Sequence, residues 1–381
     1  MRLPSERIKI IQVGAGAMGQ IWLDVVASSA DVELVGLVDL DLAAAQRSAA
    51  SAGLPDVALA RSLPELLDRM TADAVLNVTV PEAHAKVSIS ALLHGLAELC
   101  EKPLADTLAA ALSMIAAAEV GGRLLMVSQS RRYWRNLTAL RAQLARIGPL
   151  GFVQCSFFKA PHFDGFREEM AYPLLGDMAI HQFDLARELI GSEPVSVSCE
   201  SFNPSWSWYA GDAVADVAID FADGTRFVFT GSWCSSGLET SWNGSWRISG
   251  PGGTALWDGD HVPVAQTADG EQIPAEPGTE PEQIAGSLAE FVGALRTGAT
   301  PSGEAHSNVM SLAMVEGAIR SAQTRRRVVL GDLLDEAYSQ ALLTEQRPEL
   351  APALASWTSV HDVIGNASRA VPAGELKGEL R

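Results

Sequence analysis

The chain has 381 residues, enough for two domains with separate cores. Its 46 acidic and 28 basic residues leave a formal net charge of −18, so it lacks the cationic surplus that a nucleic-acid partner requires. No apolar run reaches the roughly eighteen residues of a membrane span, and the polar start MRLPSER passes straight into apolar sequence, leaving no room for a signal peptide.

Residues 8–12 (IKIIQ), extended by Val13, predict a strand that runs into Gly14-Ala-Gly16-Ala-Met-Gly19, where a helical pattern starts at once. In such a strand–turn–helix, Gly14 permits the tight turn and Gly16 lets backbone N–H groups approach a pyrophosphate. Gly19 lets the helix pack closely on the strand. Ala17 and Met18 complete the cofactor-binding loop, and the positive end of the helix faces the phosphates. A second strand, Val32–Val38, ends in Asp39, twenty positions after Gly19. A carboxylate there accepts from both adenosine ribose hydroxyls and repels a 2′-phosphate, which favours NAD over NADP. Asp41 shares or competes for that role.

The alternation continues. An Ala-rich helix over 42–52 closes at Gly53, and a short third strand lies near 57–60. A helix over 62–70 is capped by Ser62 with Glu65 three residues on. A buried strand over 74–80 leads to a helix from Pro81 to His94. A strand over 96–100 ends in Glu101-Lys102-Pro103, a helix over 106–120 stops at Gly121-Gly122, and a sixth strand covers 123–128. This pattern predicts an α/β fold whose N-terminal Rossmann domain, residues 1–130, holds a doubly wound parallel sheet.

Residues 131–335 form the expected second domain. A helix over 136–147 precedes the strand Phe152–Phe158, and another helix spans 174–190. From 195 to about 264, strand-like runs (VSVSCESF, DVAIDF, RFVFTGSW, SWRISG) are separated by turns at Ala222-Asp-Gly224 and Gly250-Pro-Gly-Gly253, the pattern of a mostly antiparallel sheet. Helices over 281–295 and 306–322 follow. Beyond Leu334 the pattern weakens, so 336–381 is a C-terminal extension whose last part, 351–381, is either a docking arm or a loose tail.

Lys102 stands at a strand end, where open parallel sheets bind ligands, and can hydrogen-bond a substrate hydroxyl. Asp177 and His181, four residues apart, share one helix face; the carboxylate raises the imidazole's proton affinity, which suits a general base. Asp184 can cap the helix or pair with Arg187. No further His or Cys cluster joins Asp177 and His181, so no metal is expected. Cys100, Cys155, Cys199 and Cys234 lack CxxC spacing and predict reduced thiols in a cytoplasmic protein. Arg132 and Tyr133 at the domain crossover, with Lys159 and His162 in a polar loop, are candidate substrate contacts; Arg167 in that loop can meet an anionic substituent. Six tryptophans fall between Trp206 and Trp257, a density that suits either sugar stacking or a covered sheet face.

Gly14-x-Gly16-x-x-Gly19, Asp39, Glu101-Lys102-Pro103 and Asp177-x-x-x-His181-x-x-Asp184, in that order, resemble the glucose–fructose oxidoreductase / inositol dehydrogenase / MocA family over about residues 7–334. The resemblance implies that Thr79, Pro81 and His84 form a turn over the nicotinamide side, with Glu101 beside it. It implies NAD(P)-dependent oxidation or reduction of a sugar, cyclitol or related polyol. Lys102 would hold the reacting hydroxyl, Asp177 orient the group and His181 act as base. It further implies a homodimer or homotetramer through a large open C-terminal sheet. Ala179 replaces a usual glycine, and Tyr133 and Trp134 replace the usual residues after the crossover arginine. The alternatives are an NAD-dependent glycosidase working by transient oxidation and elimination, and a non-catalytic NAD-binding sugar sensor.

Overall fold

The computed structural model describes residues 6–364, which fall into two compact units. The first draws its described residues from Met1–Gln129, Ile284–Val309 and Glu336–Arg381; the second comprises Ser130–Gln283 and Met310–Asp335.

In the first unit, β1 (Ile8–Val13), β2 (Val32–Val38), β3 (Ala58–Ala60), β4 (Ala74–Asn77), β5 (Ala97–Glu101) and β6 (Leu125–Ser128) form one parallel sheet in the order β3-β2-β1-β4-β5-β6. The strand order reverses between β1 and β4, which creates the crevice where such sheets bind ligands. Helices α1 (Ala17–Ser28), α2 (Leu42–Ser51), α3 (Leu63–Leu67), α4 (Pro81–Leu93) and α5 (Leu108–Gly121) alternate with the strands. Neighbouring strand residues point to opposite faces. Leu37 packs with Leu23, Ala45 and Ala49, whereas Val38 packs with Ile11, Leu66 and Val75, so both faces of the sheet are covered.

Two local expectations fail. The strand expected over 74–80 stops at Asn77, and the chain leaves the sheet for the Val78–Val80 turn. The helix expected over 62–70 is only Leu63–Leu67, and Ser62 makes no side-chain cap bond. Glu65 instead accepts from the Arg61 backbone N–H, one residue outside the expected capping box.

In the second unit, α6 (Arg135–Ile147), β7 (Phe152–Phe158), α7 (Ile180–Ile190), β8 (Pro194–Phe202), β9 (Val214–Phe221), β10 (Arg226–Ser232), β11 (Ser245–Gly250), β12 (Gly253–Trp257) and β13 (Val264–Thr267) follow in turn. With β14 (Val328–Val329) the strands form an eight-stranded sheet, β13-β12-β11-β7-β10-β9-β8-β14, in which β7 and β10 run parallel and the other pairs antiparallel. Val217, Ile219, Phe227 and Phe229 turn to a buried face, and Asp216, Asp220 and Arg226 point the other way. Phe183 of α7 meets Phe227 and Phe229 edge-on, at 6.1 and 5.5 Å between ring centroids, which lays that helix on the buried face. Trp233, Trp246 and Trp257 are buried, while Trp206 and Trp242 are exposed.

Helix α8 (Gln283–Thr297) lies in the first unit from Ile284 onward. α9 (Ala305–Thr324) and α10 (Leu330–Thr344) each contribute residues to both units. After them come α11 (Ala351–Ala355) and α12 (Val360–Val363), so regular structure continues past Leu334, where the sequence pattern faded. Trp357 donates its indole N–H to Glu119 of α5 at 2.8 Å and stacks on Tyr338. This segment docks on the first unit; the rest of the expected tail, 365–381, lies outside the described residues. Among the described residues no helix is long and apolar enough to cross a membrane.

Candidate active site

The glycine turn of the first unit is built as its sequence requires. Gly14 has φ +105°, and a Cβ there would fall 2.4 Å from the Val78 carbonyl oxygen. A Cβ on Gly19 would meet the Gly14 oxygen at the same distance, whereas one on Gly16 would meet nothing within 4 Å. The turn is thus closed behind Gly14 and Gly19 and open in front of Gly16, a cradle that fits a pyrophosphate. Gln12, a buried polar residue that sequence reading passed over, donates from Nε2 to the Gly14 and Gly19 carbonyls at 2.9 Å and locks turn to helix. Its signal was a polar side chain between Ile11 and Val13 in a strand that runs straight into the glycine turn.

Asp39 accepts the Ala15 N–H at 2.8 Å through Oδ2 and the Asp41 N–H at 2.9 Å through Oδ1, so its carboxylate borders the glycine turn. Asp41 is the N-cap of α2, accepting from Ala43 and Ala44. That separates the two acids: Asp41 belongs to the helix end, Asp39 to the loop.

Past β4, the Thr79 hydroxyl donates to Asn77 Oδ1 at 2.7 Å, and Pro81 is the first residue of α4. His84, expected among the cofactor contacts, is buried with Nδ1 2.8 Å from the Pro103 carbonyl and Nε2 3.1 Å from the Thr79 carbonyl. Burial, aided by the Lys102 charge, pushes its pKa below the ordinary histidine value, and a neutral ring donates to only one of these two carbonyls. Glu101 accepts from the Trp22 indole at 2.8 Å and from the Lys102 N–H at 3.0 Å; burial pushes its pKa up. This fixes the backbone from which Lys102 projects.

In the second unit, the helix expected over 174–190 is two elements. Leu174–Ala179 is π-helical, and only then does α7 begin. Asp177 therefore lies on a widened turn, a feature frequent at functional sites, and His181 in the first turn of α7. Arg167 donates from Nε to Asp177 Oδ2 at 2.8 Å, so the arginine suggested for an anionic substituent is bound to the candidate orienting carboxylate.

Asp184, expected to cap the helix or pair with Arg187, has its strongest described partner elsewhere. It holds Arg132 through two 2.7 Å bonds, and Arg187 pairs with Glu193. Arg132, expected to touch substrate, is buried; the bidentate geometry and a second contact to Glu188 make it an internal anchor. Tyr133 ends the short 3₁₀ turn Ser130–Tyr133. Lys159 pairs with Glu239 at 3.0 Å, and His162 stacks on Trp208 with ring centroids 3.8 Å apart. Among the described residues no group of three or more His, Cys, Asp or Glu side chains is disposed to hold a metal ion.

Comparison with known proteins gives this geometry a family. An oxidoreductase family model with an NAD-binding Rossmann fold matches residues 8–129, and a GFO/IDH/MocA C-terminal domain model matches residues 111–256. The uncharacterized protein y4oX of Sinorhizobium fredii is 28% identical over 86% of this chain and 96% of its own length. The D-apiose dehydrogenase of Paraburkholderia graminis is 29% identical over 64% of this chain and 69% of its length. Among solved structures, an oxidoreductase from Agrobacterium radiobacter in complex with NAD+, L-tartaric acid and magnesium has a TM-score of 0.77 at 21% identity. That match covers 86% of this chain and all of the other, a likeness of fold.

Proposed function

The chain belongs to the GFO/IDH/MocA family of NAD-binding oxidoreductases, and we propose that it is an NAD-dependent dehydrogenase oxidising a ring hydroxyl of a sugar or cyclitol, reversibly and in the cytoplasm. The observation that carries this reading is the glycine cradle bordered by the Asp39 carboxylate, in a chain that also bears an acid and an imidazole at a π-to-α helix junction. NAD, when bound, supplies the hydride acceptor. Gly14, Gly16, Ala17, Met18 and Gly19 would hold its phosphates, and Asp39 its adenosine ribose in preference to the 2′-phosphate form. Thr79, Pro81 and Glu101 line the nicotinamide side, with His84 acting through the backbone segment it donates to.

In this reading Lys102 donates a hydrogen bond to the reacting oxygen, and His181 takes the hydroxyl proton as the carbonyl forms. Asp177, held by Arg167, orients the substrate and the imidazole. Tyr133, Lys159 and His162 remain the proposed substrate contacts beyond the reacting carbon. The subunits pair as a homodimer or homotetramer through the open face of the eight-stranded sheet, near the exposed Phe152, Leu256 and Val264.

NADH formation over a panel of inositols, hexoses and sugar acids tests the reading. Lys102→Ala and His181→Ala should each lower kcat by at least about 100-fold, the scale of a lost general acid or base, while NAD binding persists. Full activity in both variants would refute the assigned roles.

A further inference from the structure

The polar loop after β7 and the tryptophan-rich segment before β9 meet in one aromatic group. The Arg167 guanidinium, bonded to Asp177, lies 4.8 Å from the Phe166 ring centroid and 5.4 Å from that of Phe163. Phe163 meets Trp233 edge-on at 5.5 Å, Trp233 stacks on Tyr209, and Tyr209 neighbours Trp208, on which His162 stacks. Each contact joins the next, so the rings run unbroken from the candidate orienting carboxylate outward.

Two properties separate this group from ordinary core. It is open: Phe163 is 41% and Phe166 55% exposed, while Trp233 beneath is buried. It is also held in place. The Tyr209 hydroxyl donates to the Pro161 carbonyl at 2.8 Å, and the nearby Trp206 indole donates to the Cys234 carbonyl at 3.2 Å. Single exposed apolar side chains need no explanation, but fixed rings grouped beside a polar reaction candidate do. Rings with few rotatable bonds make a preorganised surface, and their faces match the C–H face of a pyranose or an aryl group.

We propose that this aromatic shelf binds a second, non-reacting ring of the substrate, so that the chain acts on glycosides in preference to free monocyclic sugars or cyclitols. The choice of reacting ring rests on the dehydrogenase reading; the affinity of the shelf for a second ring does not. Arg167 and Asp177 mark the polar end toward the reacting ring, and Phe166, Phe163 and Trp208 the apolar end toward the aglycone. A protein partner fits less well, because the rings end at the partly exposed Arg167–Asp177 ion pair, which a dry interface would have to desolvate.

The test compares matched pairs on the NAD-loaded protein: a free hexose against its phenyl β-glycoside and against a disaccharide. Glycosides should show kcat/KM at least about tenfold higher, the effect of one or two well-placed ring contacts, and the phenyl and disaccharide arms identify which aglycone is taken. Saturation-transfer NMR should mark the aglycone protons. Trp208→Ala and Phe166→Ala should each raise the glycoside KM several-fold and weaken that transfer. Equal kcat/KM within pairs, or variants that leave both readouts unchanged, would overturn the shelf and leave the dehydrogenase standing. Glycoside binding that depends on Trp208 without NADH formation would keep the shelf and sink the dehydrogenase reading. A Phe166→Ser variant that changes the mass in solution but not the glycoside KM would assign the patch to a subunit contact and overturn the proposal.

Discussion

Arg132 and Asp184 form a bidentate ion pair with side chains only 3% and 1% exposed, and Ser311 donates a further 2.6 Å bond to Asp184. The pair fixes α7 three residues beyond His181. Breaking such a pair leaves an uncompensated buried charge, so Arg132→Ala or Asp184→Ala should each cost about 3–5 kcal/mol in urea unfolding. If either variant lost less than about 1 kcal/mol while the substrate KM rose sharply, Arg132 would be a substrate contact after all.

The parts of this molecule written in local pattern were legible from sequence. The glycine turn, Asp39 and the βα alternation depend on neighbours in the chain, and the structure reproduces their order. What escaped depends on partners far away in sequence. Nothing local to Asp184 points to Arg132, fifty-two residues earlier, and nothing near Glu119 foretells Trp357. The π turn of Leu174–Ala179 escaped for another reason: six residues are too few for hydrophobic periodicity to separate two helical windings. The role of Asp41 as helix cap, by contrast, could have been taken from its place just before an Ala-rich run.

Glu98 is a fully buried acid on β5, accepting from Ser88 at 2.5 Å; Ser88 in turn accepts from Asn77, whose Oδ1 receives the Thr79 hydroxyl. Burial pushes its pKa from 4.5 up to about 8, against the pull of its hydrogen bonds. Between those values the folded state keeps a proton that the unfolded state has lost, so stability falls as pH rises through this window and levels off above it. The slope contributed should approach but not exceed about 1.4 kcal/mol per pH unit. Glu98→Gln should flatten it in urea titrations from pH 5 to 8; an unchanged slope would mean that Glu98 is ionised in the native protein.

His306 carries a second pH dependence of the same sign in a higher window. It is buried, with Nδ1 2.6 Å from Glu304 and Nε2 3.3 Å from Glu119. Burial disfavours its charge, but the two carboxylates prevail and push the pKa up to about 9. The folded pKa exceeds the ordinary value of 6.5, so this stabilisation is complete below that pH and is lost as pH rises through about 9. Because Glu119 also accepts the Trp357 indole, the docked C-terminal segment should share in the loss. Limited proteolysis should cut more readily after residue 344 at about pH 9.5 than at about pH 6.5, values that bracket the transition. His306→Gln should abolish the difference, and cleavage independent of pH in the parent protein would refute the link.

Asp39 should govern both the affinity for the cofactor and the choice of it. Its two oxygens border the loop through the Ala15 and Asp41 N–H groups, which holds the carboxylate at the end of β2. A ribose diol gains charge-assisted hydrogen bonds there, and a 2′-phosphate meets like charge. Asp39→Ala should therefore raise the NAD Kd about 10- to 100-fold, the scale of one lost hydrogen bond to a charged group. NADP binding should hold steady or tighten, so the ratio of the two constants moves toward NADP by at least as much as the NAD constant does. Calorimetric titration of both nucleotides separates these effects from general damage to the loop, which would weaken both equally. Equal weakening of the two, or a parent protein that binds NADP as tightly as NAD, would remove Asp39 as the discriminating residue.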